Sequence, residues 1–297
     1  MGDAPFVSVG IPTFKRATVL KRAIESVLAQ DYFQLELIIS DNASPDGTQR
    51  VCEEFCARDS RVAYIRQPRN RGPRPNFLEV LHRARGAFFI CLGDDDWLDS
   101  SYIRLCVQEL TDNPDYALVC GRARYYRENG QFLFDGVPVN LLQDRPEERV
   151  LSFYDQWSEN PAFYGLIRRE LVLLGWPPRV LSADLLHVAA IAFMGKIKTI
   201  NNTLIHVSHS GMSRSARAVC ENIGISRIHA LAPRLSIAVS AFRDVALGSR
   251  VYVSLGRWPR LRLACKIILV FYRRFWRAYW AHPIRSMASV RNTIRKR

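Results

Sequence analysis

Residues 6–41 read "FVSVGIPTFKRATVLKRAIESVLAQDYFQLELIISD" and contain two apolar runs, 6–11 and 35–40, that are rich in β-forming residues. Between these runs, over 16–29, apolar residues recur with a spacing near 3.6, which predicts a helix with one buried face. A strand, a helix and a second strand at this interval predict a βαβ unit with two parallel strands.

Three further apolar runs extend this pattern to about residue 122: "RVAYIR" (61–66), "AFFICL" (87–92) and "YALVCG" (116–121). Strands that alternate with helices are typical of an α/β domain with a mostly parallel sheet flanked by helices. Ligands bind such sheets at the carboxyl ends of the strands. Four segments follow the strands there: "PTFKR" (12–16), "DNASPDGT" (41–48), "QPRNRGPRPN" (67–76) and "GDDDW" (93–97).

The composition is that of a globular protein, since 48% of the 297 residues are hydrophobic. No charged start followed by an apolar run and a cleavage site is found, so we expect a cytoplasmic protein without a secretory signal. The seven cysteines are scattered in mostly apolar surroundings. This distribution predicts reduced core residues and not a disulfide framework.

The formal net charge of +14 is unevenly distributed along the chain. After Asp244 there are 13 Arg and Lys residues and no acidic residue, whereas the part up to Asp244 is nearly neutral. The basic character therefore belongs to the C-terminal part. Binding to an anionic partner is indicated for that part only and not for the rest of the chain.

Three adjacent aspartates, Asp94, Asp95 and Asp96, follow the predicted buried strand 87–92. Adjacent carboxylates raise one another's pKa unless a cation or hydrogen-bond donors compensate their charge. A divalent ion, Mg²⁺ or Mn²⁺, with diphosphate oxygens would do so, because hard cations prefer oxygen ligands. The alternative is a helix N-terminus capped by Asp99 or Ser100. A cap explains one aspartate and not three.

A second polar segment, "IISDNASPDGTQ" (38–49), places Asp41 at the end of a strand and Asn42 directly after it. Ordinary turn chemistry explains Ser44, Pro45 and Gly47. A turn does not require an acid at the last position of the strand. A nucleobase imide or a ribose hydroxyl would be held well by one, so we predict that Asp41 binds a ligand.

Three segments together carry a resemblance to a known family: "VSVGIPTFKRATVLKRAIESVLAQDY" (7–32), "LELIISDNASPDGT" (35–48) and "NRGPRPNFLEVLHRARGAFFICLGDDDWL" (70–98). Their order and spacing resemble the donor-binding half of family 2 glycosyltransferases. That resemblance covers about residues 6–122. It implies the GT-A nucleotide-diphospho-sugar transferase fold, with a C-terminal helical, basic extension beyond it in this chain.

The resemblance also implies a nucleotide-sugar site with a divalent metal, Mn²⁺ or Mg²⁺. The resemblance places Pro12, Thr13 and Arg16 at the nucleotide, Asp41 at the base, Asn70, Arg71 and Asn76 near the diphosphate or sugar, Asp95 at the ribose and sugar, and Asp96 on the metal. Phe14 and Asn42 are further donor-binding residues. Asp94 is assigned to the donor with the weakest support, because Gly93 stands where many members of the family have an acid.

In the second half, "SADLLHVAAIAFMGKI" (182–197) and "LIHVSHSGMSRS" (204–215) resemble the family's general base and a later histidine. The resemblance implies that Asp184 is the catalytic base and that His209 lies near the diphosphate or metal. The alternatives are that Ser182 and Asp184 only begin a helix and that His209 is an ordinary loop residue. His187 and His206 are predicted to be structural.

The activity implied is transfer of a sugar from a nucleoside diphosphate to a hydroxyl, with inversion and in one displacement. Residues 1–134 would form the donor-binding half, 135–214 the acceptor-binding half of the same domain, and 215–297 the extension. One rival is a sugar-1-phosphate nucleotidyltransferase, but 12–16 lacks the glycine-rich loop of such enzymes. The other is a non-catalytic membrane-binding protein on a transferase scaffold.

The segment "RLRLACKIILVFYRRFWRAYW" (260–280) predicts an amphipathic helix. Its basic side carries Arg262, Lys266, Arg273 and Arg277, and its apolar side carries Ala264, Ile267, Ile268, Phe271, Phe275 and Tyr279. Such a helix is typical of attachment to an anionic membrane surface, and its apolar run is too short to span a bilayer. The alternative is a helix that packs on the catalytic domain. Nucleic acid is not expected as a partner, because no nucleic-acid module accompanies the tail.

A membrane-surface transferase suggests a lipid-linked saccharide acceptor in cell-surface polysaccharide biosynthesis, on the inner face of a bacterial plasma membrane. This last step rests on analogy with the family.

Overall fold

In the computed structural model, which describes residues 4–175, 179–208 and 215–281 and side chains up to residue 274, nine strands form one sheet. The strands are β1 (Val7–Thr13), β2 (Leu35–Asp41), β3 (Val62–Arg66), β4 (Phe88–Cys91), β5 (Trp97–Leu98), β6 (Tyr116–Tyr126), β7 (Phe132–Asp135), β8 (Leu166–Arg168) and β9 (Lys196–Ser208). The α-helices are α1 (Ala17–Leu28), α2 (Thr48–Arg58), α3 (Pro73–Arg83), α4 (Tyr102–Asp112), α5 (Pro146–Gln156), α6 (Arg169–Leu174), α7 (Ala183–Met194), α8 (Ala216–Ile223), α9 (Pro233–Arg243) and α10 (Arg257–Ala281).

The strand order is β3-β2-β1-β4-β8-β6-β9-β5, and β7 pairs with β6. Strands β3, β2, β1 and β4 are parallel, and so are β6 and β9. Strand β8 runs antiparallel to its neighbours β4 and β6. Because Thr13 pairs with Asp41 at the ends of β1 and β2, the loops that follow these strands emerge at one edge of the sheet. The predicted α/β fold of the GT-A type is confirmed, including every strand expected up to residue 122.

Two apolar clusters lie on opposite faces of the sheet. Helices α1, α2 and α4 cover one face, where Leu20 and Ile24 of α1 pack on Leu37 and Ile39 of β2. Helices α3, α5, α7, α9 and α10 cover the other face, and α7 buries nine consecutive residues, 185–193, in it. The alternation of Leu37, Ile38 and Ile39 between the two clusters follows from the two-residue period of a strand.

The aspartates of the 93–97 segment do not begin a helix. Helix α4 begins at Tyr102 with Ser101 as its N-cap residue, and the short strand β5 lies between the aspartates and this helix. The alternative interpretation of the acidic run as a helix N-terminus is therefore wrong. Strands β5, β7 and β8 were not predicted, since each has only two to four residues.

Helix α10 packs on the domain through the apolar side that the sequence identifies. Ala264 and Ile267 are fully buried, and the Arg274 guanidinium donates to the carbonyls of Tyr154 (2.9 Å) and Trp157 (2.8 Å). The side chains of Ala264 and Ile267 are therefore covered by the protein itself. The side chains of Phe275, Arg277 and Tyr279, which belong to the same prediction, lie outside the described residues. Among the helices in the described ranges, none is both long enough and apolar enough to cross a bilayer.

Candidate active site

The acidic turn that follows β4 is the centre of the site. The amide of Leu92 continues the sheet by donating to the Gly10 carbonyl (3.0 Å), and the chain then turns so that the Asp96 amide donates to the Gly93 carbonyl (3.2 Å). A Cβ atom at Gly93 would overlap the carboxylate of Asp96. Glycine thus stands at this position because the turn brings the carboxylate against the backbone, where a side chain has no room.

Asp96 is almost completely buried, and strand β9 holds it. The amide of Ser208 donates to Oδ1 of Asp96 over 2.8 Å. Burial, followed by the charge of Asp95, raises the pKa of Asp96 well above its ordinary value. The Ser208 amide and hydrogen bonding from the Tyr164 hydroxyl oppose that rise. The carboxylate is therefore fixed in position, while its charge is only partly compensated.

Arg16, after the end of β1, faces the other two aspartates of the turn. Its guanidinium lies 3.6 Å from Oδ1 of Asp94 and 3.7 Å from Oδ2 of Asp95. Burial and the charge of Asp95 nevertheless raise the pKa of Asp94 to about 6, against the lowering effects of the Thr13 hydroxyl and of Arg16. Arg22 also lies at this turn, where its guanidinium donates to the Asp95 carbonyl (3.0 Å). The pKa values of Asp94 and Asp96 stay raised despite both arginines, so this edge of the site favours a further cation.

An aromatic stack lies beside the acidic turn. The indole of Trp97 is stacked on the imidazole of His206, with 4.9 Å between ring centroids, and the Arg22 guanidinium lies 3.5 Å above the Trp97 ring. His206 also bonds to Asp99 through Nε2 (2.9 Å) and to the Tyr126 hydroxyl through Nδ1 (3.0 Å). The contacts agree with the structural role predicted for His206. They also support Trp97, which directly follows the acidic turn.

Asp41 ends β2 as a fully buried carboxylate with two internal donors. The amide of Ser44 donates to Oδ1 (2.9 Å) and the Tyr64 hydroxyl donates to Oδ2 (3.0 Å), while the Arg66 guanidinium lies 3.6 Å away. Asp41 thus shapes the 41–48 turn, whatever else it binds. Tyr64 and Arg66 were not singled out by the sequence, in which they are ordinary residues of a β-rich run.

The loop 67–76 is tied to the end of β2 by Asn42. Its side-chain amide donates to Oδ1 of Asn70 (2.9 Å) and to the carbonyl of Gly72 (3.1 Å), and its Oδ1 accepts from the Arg71 amide (2.8 Å). The structure therefore brings the predicted donor residues Asn42, Asn70 and Arg71 together at the strand ends.

Asn76 is buried and connects α3 to β1 and β2 by hydrogen bonds. Its side chain donates to the carbonyls of Thr13 (3.2 Å) and Ser40 (2.9 Å), and accepts from the Ser40 hydroxyl (2.7 Å). These contacts already occupy both ends of the amide. Its position next to Thr13, with Pro12 and Phe14 half-buried on either side along β1, keeps it close to the predicted donor site.

Asp184 lies in the first turn of α7, after Ser182, whose φ of 57° is left-handed. The side-chain amide of Asn160 donates to Oδ2 of Asp184 over 2.9 Å. Burial raises the pKa of Asp184, while Asn160 and the first amides of the helix lower it. The alternative role of Ser182 as a side-chain cap is not realised, because its hydroxyl makes no capping hydrogen bond.

The phenol of Tyr164 is the neighbour that Asp184 shares with the acidic turn. Burial raises the pKa of this phenol well above its ordinary value, and the charges of Asp96, Asp95 and Asp184 raise it further. The charges of the acidic turn and of Asp184 therefore act on the same side chain. No signal in the sequence distinguishes Tyr164 from a core aromatic. The predicted site residue His209 lies outside the described residues.

A divalent metal fits the chemistry of this turn. Within the described ranges, no three His, Cys, Asp or Glu side chains are arranged to hold a metal ion by themselves. Magnesium in nucleotide sites is commonly bound by one or two carboxylates together with substrate phosphates, so the oxygens of Asp95 and Asp96 suit such a shared site.

A mostly parallel sheet of this strand order, with buried carboxylates after β4, is that of the GT-A class of nucleotide-diphospho-sugar transferase folds. A model of the family described as "Glycosyl transferase family 2" matches residues 8–173, more than half of the chain, and the chain belongs to this family.

Curated relatives of known name are similar to part of the chain. The GalNAc(5)-diNAcBac-PP-undecaprenol beta-1,3-glucosyltransferase of Campylobacter jejuni is 37% identical over 125 residues, which are 42% of this chain and 40% of that protein. The chondroitin synthase of Escherichia coli is 30% identical over 132 residues, which are 44% of this chain and 19% of that protein. The matched part is thus less than half the length of either relative.

Solved structures share the fold over most of the chain. Staphylococcus aureus TarS 1–349 in complex with UDP-GlcNAc is 17% identical with a TM-score of 0.55, covering 87% of this chain and 79% of that one. The mannosyltransferase PcManGT from Pyrobaculum calidifontis in complex with GDP-Man and Mn²⁺ is 16% identical with a TM-score of 0.53, covering 99% of this chain and 81% of that one.

Proposed function

We propose that the protein is a metal-dependent, inverting glycosyltransferase that moves a sugar from a nucleoside-diphosphate sugar to a hydroxyl of a lipid-linked saccharide. The observation that carries this proposal is the acidic turn after β4, where Asp94, Asp95 and Asp96 lie together and their negative charges are only partly compensated. The charge of Asp184 also acts on the Tyr164 phenol, which hydrogen-bonds to Asp96, and this supports one site for donor and acceptor.

The donor would lie across the carboxyl ends of β1, β2 and β4. Pro12, Thr13, Phe14 and Arg16 would line the nucleotide, Asp41 and Asn42 the base, Asn70, Arg71 and Asn76 the diphosphate or sugar, and Asp94 and Asp95 the ribose and sugar. Support comes from the Asn42 network, which holds this loop at the strand ends. Residues 1–134 would thus form the donor half, 135–214 the acceptor half and 215–297 the extension.

Asp96 would be the principal metal ligand, and His209 a further one. A bound Mn²⁺ or Mg²⁺ would supply electrostatic stabilisation of the departing nucleoside diphosphate. The contribution of the chain is to hold the Asp96 carboxylate rigidly through the Ser208 amide and to keep water from its buried side. The complex of PcManGT with GDP-Man and Mn²⁺ supports this assignment by analogy of fold.

Asp184 would take the proton from the acceptor hydroxyl as that hydroxyl attacks the anomeric carbon from the face opposite the diphosphate. Asn160 donates to Oδ2 of Asp184 and so orients the carboxylate. A pKa raised by burial makes the carboxylate a stronger base than a solvated aspartate.

The acceptor would be a saccharide carried on a lipid in cell-surface polysaccharide biosynthesis. The name of the Campylobacter relative states such an acceptor, with the saccharide on undecaprenyl diphosphate. An acceptor of this kind lies at a membrane, so the protein would be cytoplasmic and peripherally attached to the inner face of the plasma membrane. The basic C-terminal extension is the proposed attachment.

A panel of nucleotide sugars with Mn²⁺ or Mg²⁺, assayed with and without a membrane lipid extract, tests the function. Release of a nucleoside diphosphate that increases with the extract is the expected result. Release of pyrophosphate would identify a nucleotidyltransferase instead, and no release with any donor would contradict catalysis altogether.

A further inference from the structure

A cavity of about 1140 Å³ opens outside the active site, between the end of α6, the 3₁₀ helix Arg227–Ala230 and α9. Its apolar lining consists mainly of Leu173, Leu174, Leu231, Leu235, Val239 and Leu247. We call these six side chains and the space between them the leucine groove. It lies in the part of the chain beyond the strand ends that would bind the donor.

The side chains of the leucine groove are strongly exposed. Leu231 is 83% exposed, Leu247 77% and Leu235 64%, and no described residue covers them. Single exposed leucines are common, but a contiguous cluster around one opening is typical of an interaction surface. The groove is therefore a candidate docking surface for an apolar partner.

The charges around the leucine groove identify the kind of partner. Four arginines line it, namely Arg74, Arg179, Arg243 and Arg250, whereas the acid among the lining residues, Asp244, is buried. Leucines within a rim of arginines suit a partner that is apolar inside and anionic at its surface. An anionic phospholipid bilayer has this chemistry, with acyl chains for the leucines and phosphates for the guanidinium groups.

Two other occupants are disfavoured by charge. The C-terminal residues 282–297 contain five Arg and Lys residues and no acid, so the arginine rim repels them. A second copy that docked through the same groove would place its own four arginines against this rim. Both would place like charges together at the groove.

The leucine groove adjoins a second cavity that reaches toward the 67–76 loop. It shares Arg74 and Arg179 with a smaller cavity of about 190 Å³, which residues 71–75 also line. The Arg71 amide is in turn held by Asn42 at the end of β2 (2.8 Å). A bilayer at the groove would thus lie beside the loop that is proposed to face the donor diphosphate.

We propose that the leucine groove is a membrane-docking surface, which inserts its leucines among the acyl chains of an anionic bilayer while the arginines bind lipid phosphates. The proposal rests on the membrane attachment in the proposed function and locates it on α9 and its neighbours, not on the apolar side of α10. It predicts that attachment depends on both apolar side chains and anionic lipid.

Co-sedimentation with vesicles tests the docking surface. The double variant Leu231→Ser/Leu235→Ser should weaken binding to phosphatidylglycerol vesicles by about tenfold or more, because each leucine loses its buried apolar area. Phe33→Ser is the matched control. Phe33 is 80% exposed, lies far from the groove residues in the sequence and lines neither cavity. Equal binding by the double variant and the control would overturn the proposal.

Charge is tested by Arg243→Gln/Arg250→Gln, with Arg50→Gln/Arg58→Gln on α2 as a control of equal charge change. The first pair should bind phosphatidylglycerol vesicles more weakly, whereas the control pair should bind them almost as the wild type does. High salt should reduce wild-type binding. Binding that is equally strong to phosphatidylcholine vesicles would contradict the arginine rim.

Two further outcomes would also overturn the proposal. Loss of vesicle binding in Leu269→Ser/Tyr272→Ser, on the exposed side of α10, with full binding by the groove variants, would locate attachment on α10. A change from dimer to monomer in Leu231→Ser/Leu235→Ser, with vesicle binding intact, would identify a second copy as the occupant. Nucleotide release by the same variants without lipid reports the proposed function separately and should equal that of the wild type.

Discussion

The backbone amide of Ser208 and the carboxylate of Asp96 are joined by a hydrogen bond of 2.8 Å that connects β9 to the acidic turn. The two residues are 112 positions apart in the chain. Ser208 is the last residue of β9. This long strand therefore fixes the side chain of Asp96 in the turn that follows β4. The acidic turn is thus preorganised by tertiary structure.

Replacement of Asp96 by Asn should separate metal binding from folding. Asparagine keeps an oxygen for the Ser208 amide but removes a buried negative charge whose pKa is raised by burial and by Asp95. Without metal, the melting temperature of the variant should exceed that of the wild type by about 2 to 4 °C for each kcal/mol of electrostatic repulsion that is relieved. Added Mn²⁺ should no longer raise its melting temperature, and transfer should fall about a hundredfold or more.

Asp112→Asn, at the exposed end of α4, is the matched control for this variant and should respond to Mn²⁺ as the wild type does. If Mn²⁺ still raised the melting temperature of Asp96→Asn, Asp96 would not be the principal metal ligand.

Replacement of Asp184 by Asn should abolish transfer while donor binding is kept. The amide cannot accept the acceptor proton, so we expect kcat to fall about 10²- to 10⁴-fold. The dissociation constant for the nucleotide sugar, measured by calorimetry, should not change, because the base contacts the acceptor. Glu170→Gln, on the exposed side of α6, removes a nearby charge as a control and should retain activity. Weakened donor binding in Asp184→Asn would instead place this residue on the donor side.

The strands and the acidic turn could be predicted because their signals are local. The apolar run 87–92 and the aspartates 94–96 are adjacent in the sequence, and a parallel sheet brings the ends of its strands to one edge. The position of Tyr164 could not be predicted. It depends on β8, which has three residues and pairs with both β4 and β6. No periodicity can arise over so short a strand.

Periodicity also identified the apolar side of α10 but not what covers it. Ala264 and Ile267 are buried by the domain, although the same pattern would suit a membrane surface. A hydrophobic stripe on a helix specifies a face and leaves its partner open. The leucine groove, by contrast, is assembled from three helical segments, so no single window of the sequence reveals it.

Replacement of Asn76 by Ala should lower the free energy of unfolding more than it weakens binding of the nucleotide sugar. The change removes the buried amide that donates to the carbonyls of Thr13 and Ser40 and accepts from the Ser40 hydroxyl, although the Thr13 carbonyl keeps the bond from the Asn42 backbone amide. We expect a loss of about 2 kcal/mol or more in the free energy of unfolding, measured by urea denaturation. Asn70→Ala in the exposed loop is the matched control and should cost about 1 kcal/mol or less. An unchanged stability with a higher KM for the nucleotide sugar would show that Asn76 mainly binds the donor.

Stability should fall in mild acid because of His187. This imidazole is buried in α7 against the Gly175 carbonyl, and burial lowers its pKa from 6.5 to about 4. As the pH falls, the unfolded chain therefore takes up this proton before the folded chain does. The contribution of neutral His187 to stability is complete above about pH 6.5 and is lost as the pH falls toward 4. At pH 5 the loss of stability should be about 2 kcal/mol.

The variant His187→Gln tests this assignment. Its melting temperature should depend less on pH between 7 and 5, whereas His82→Gln, in the exposed last turn of α3, should keep the wild-type slope. An equal slope in the wild type and His187→Gln would mean that His187 is not the group that titrates.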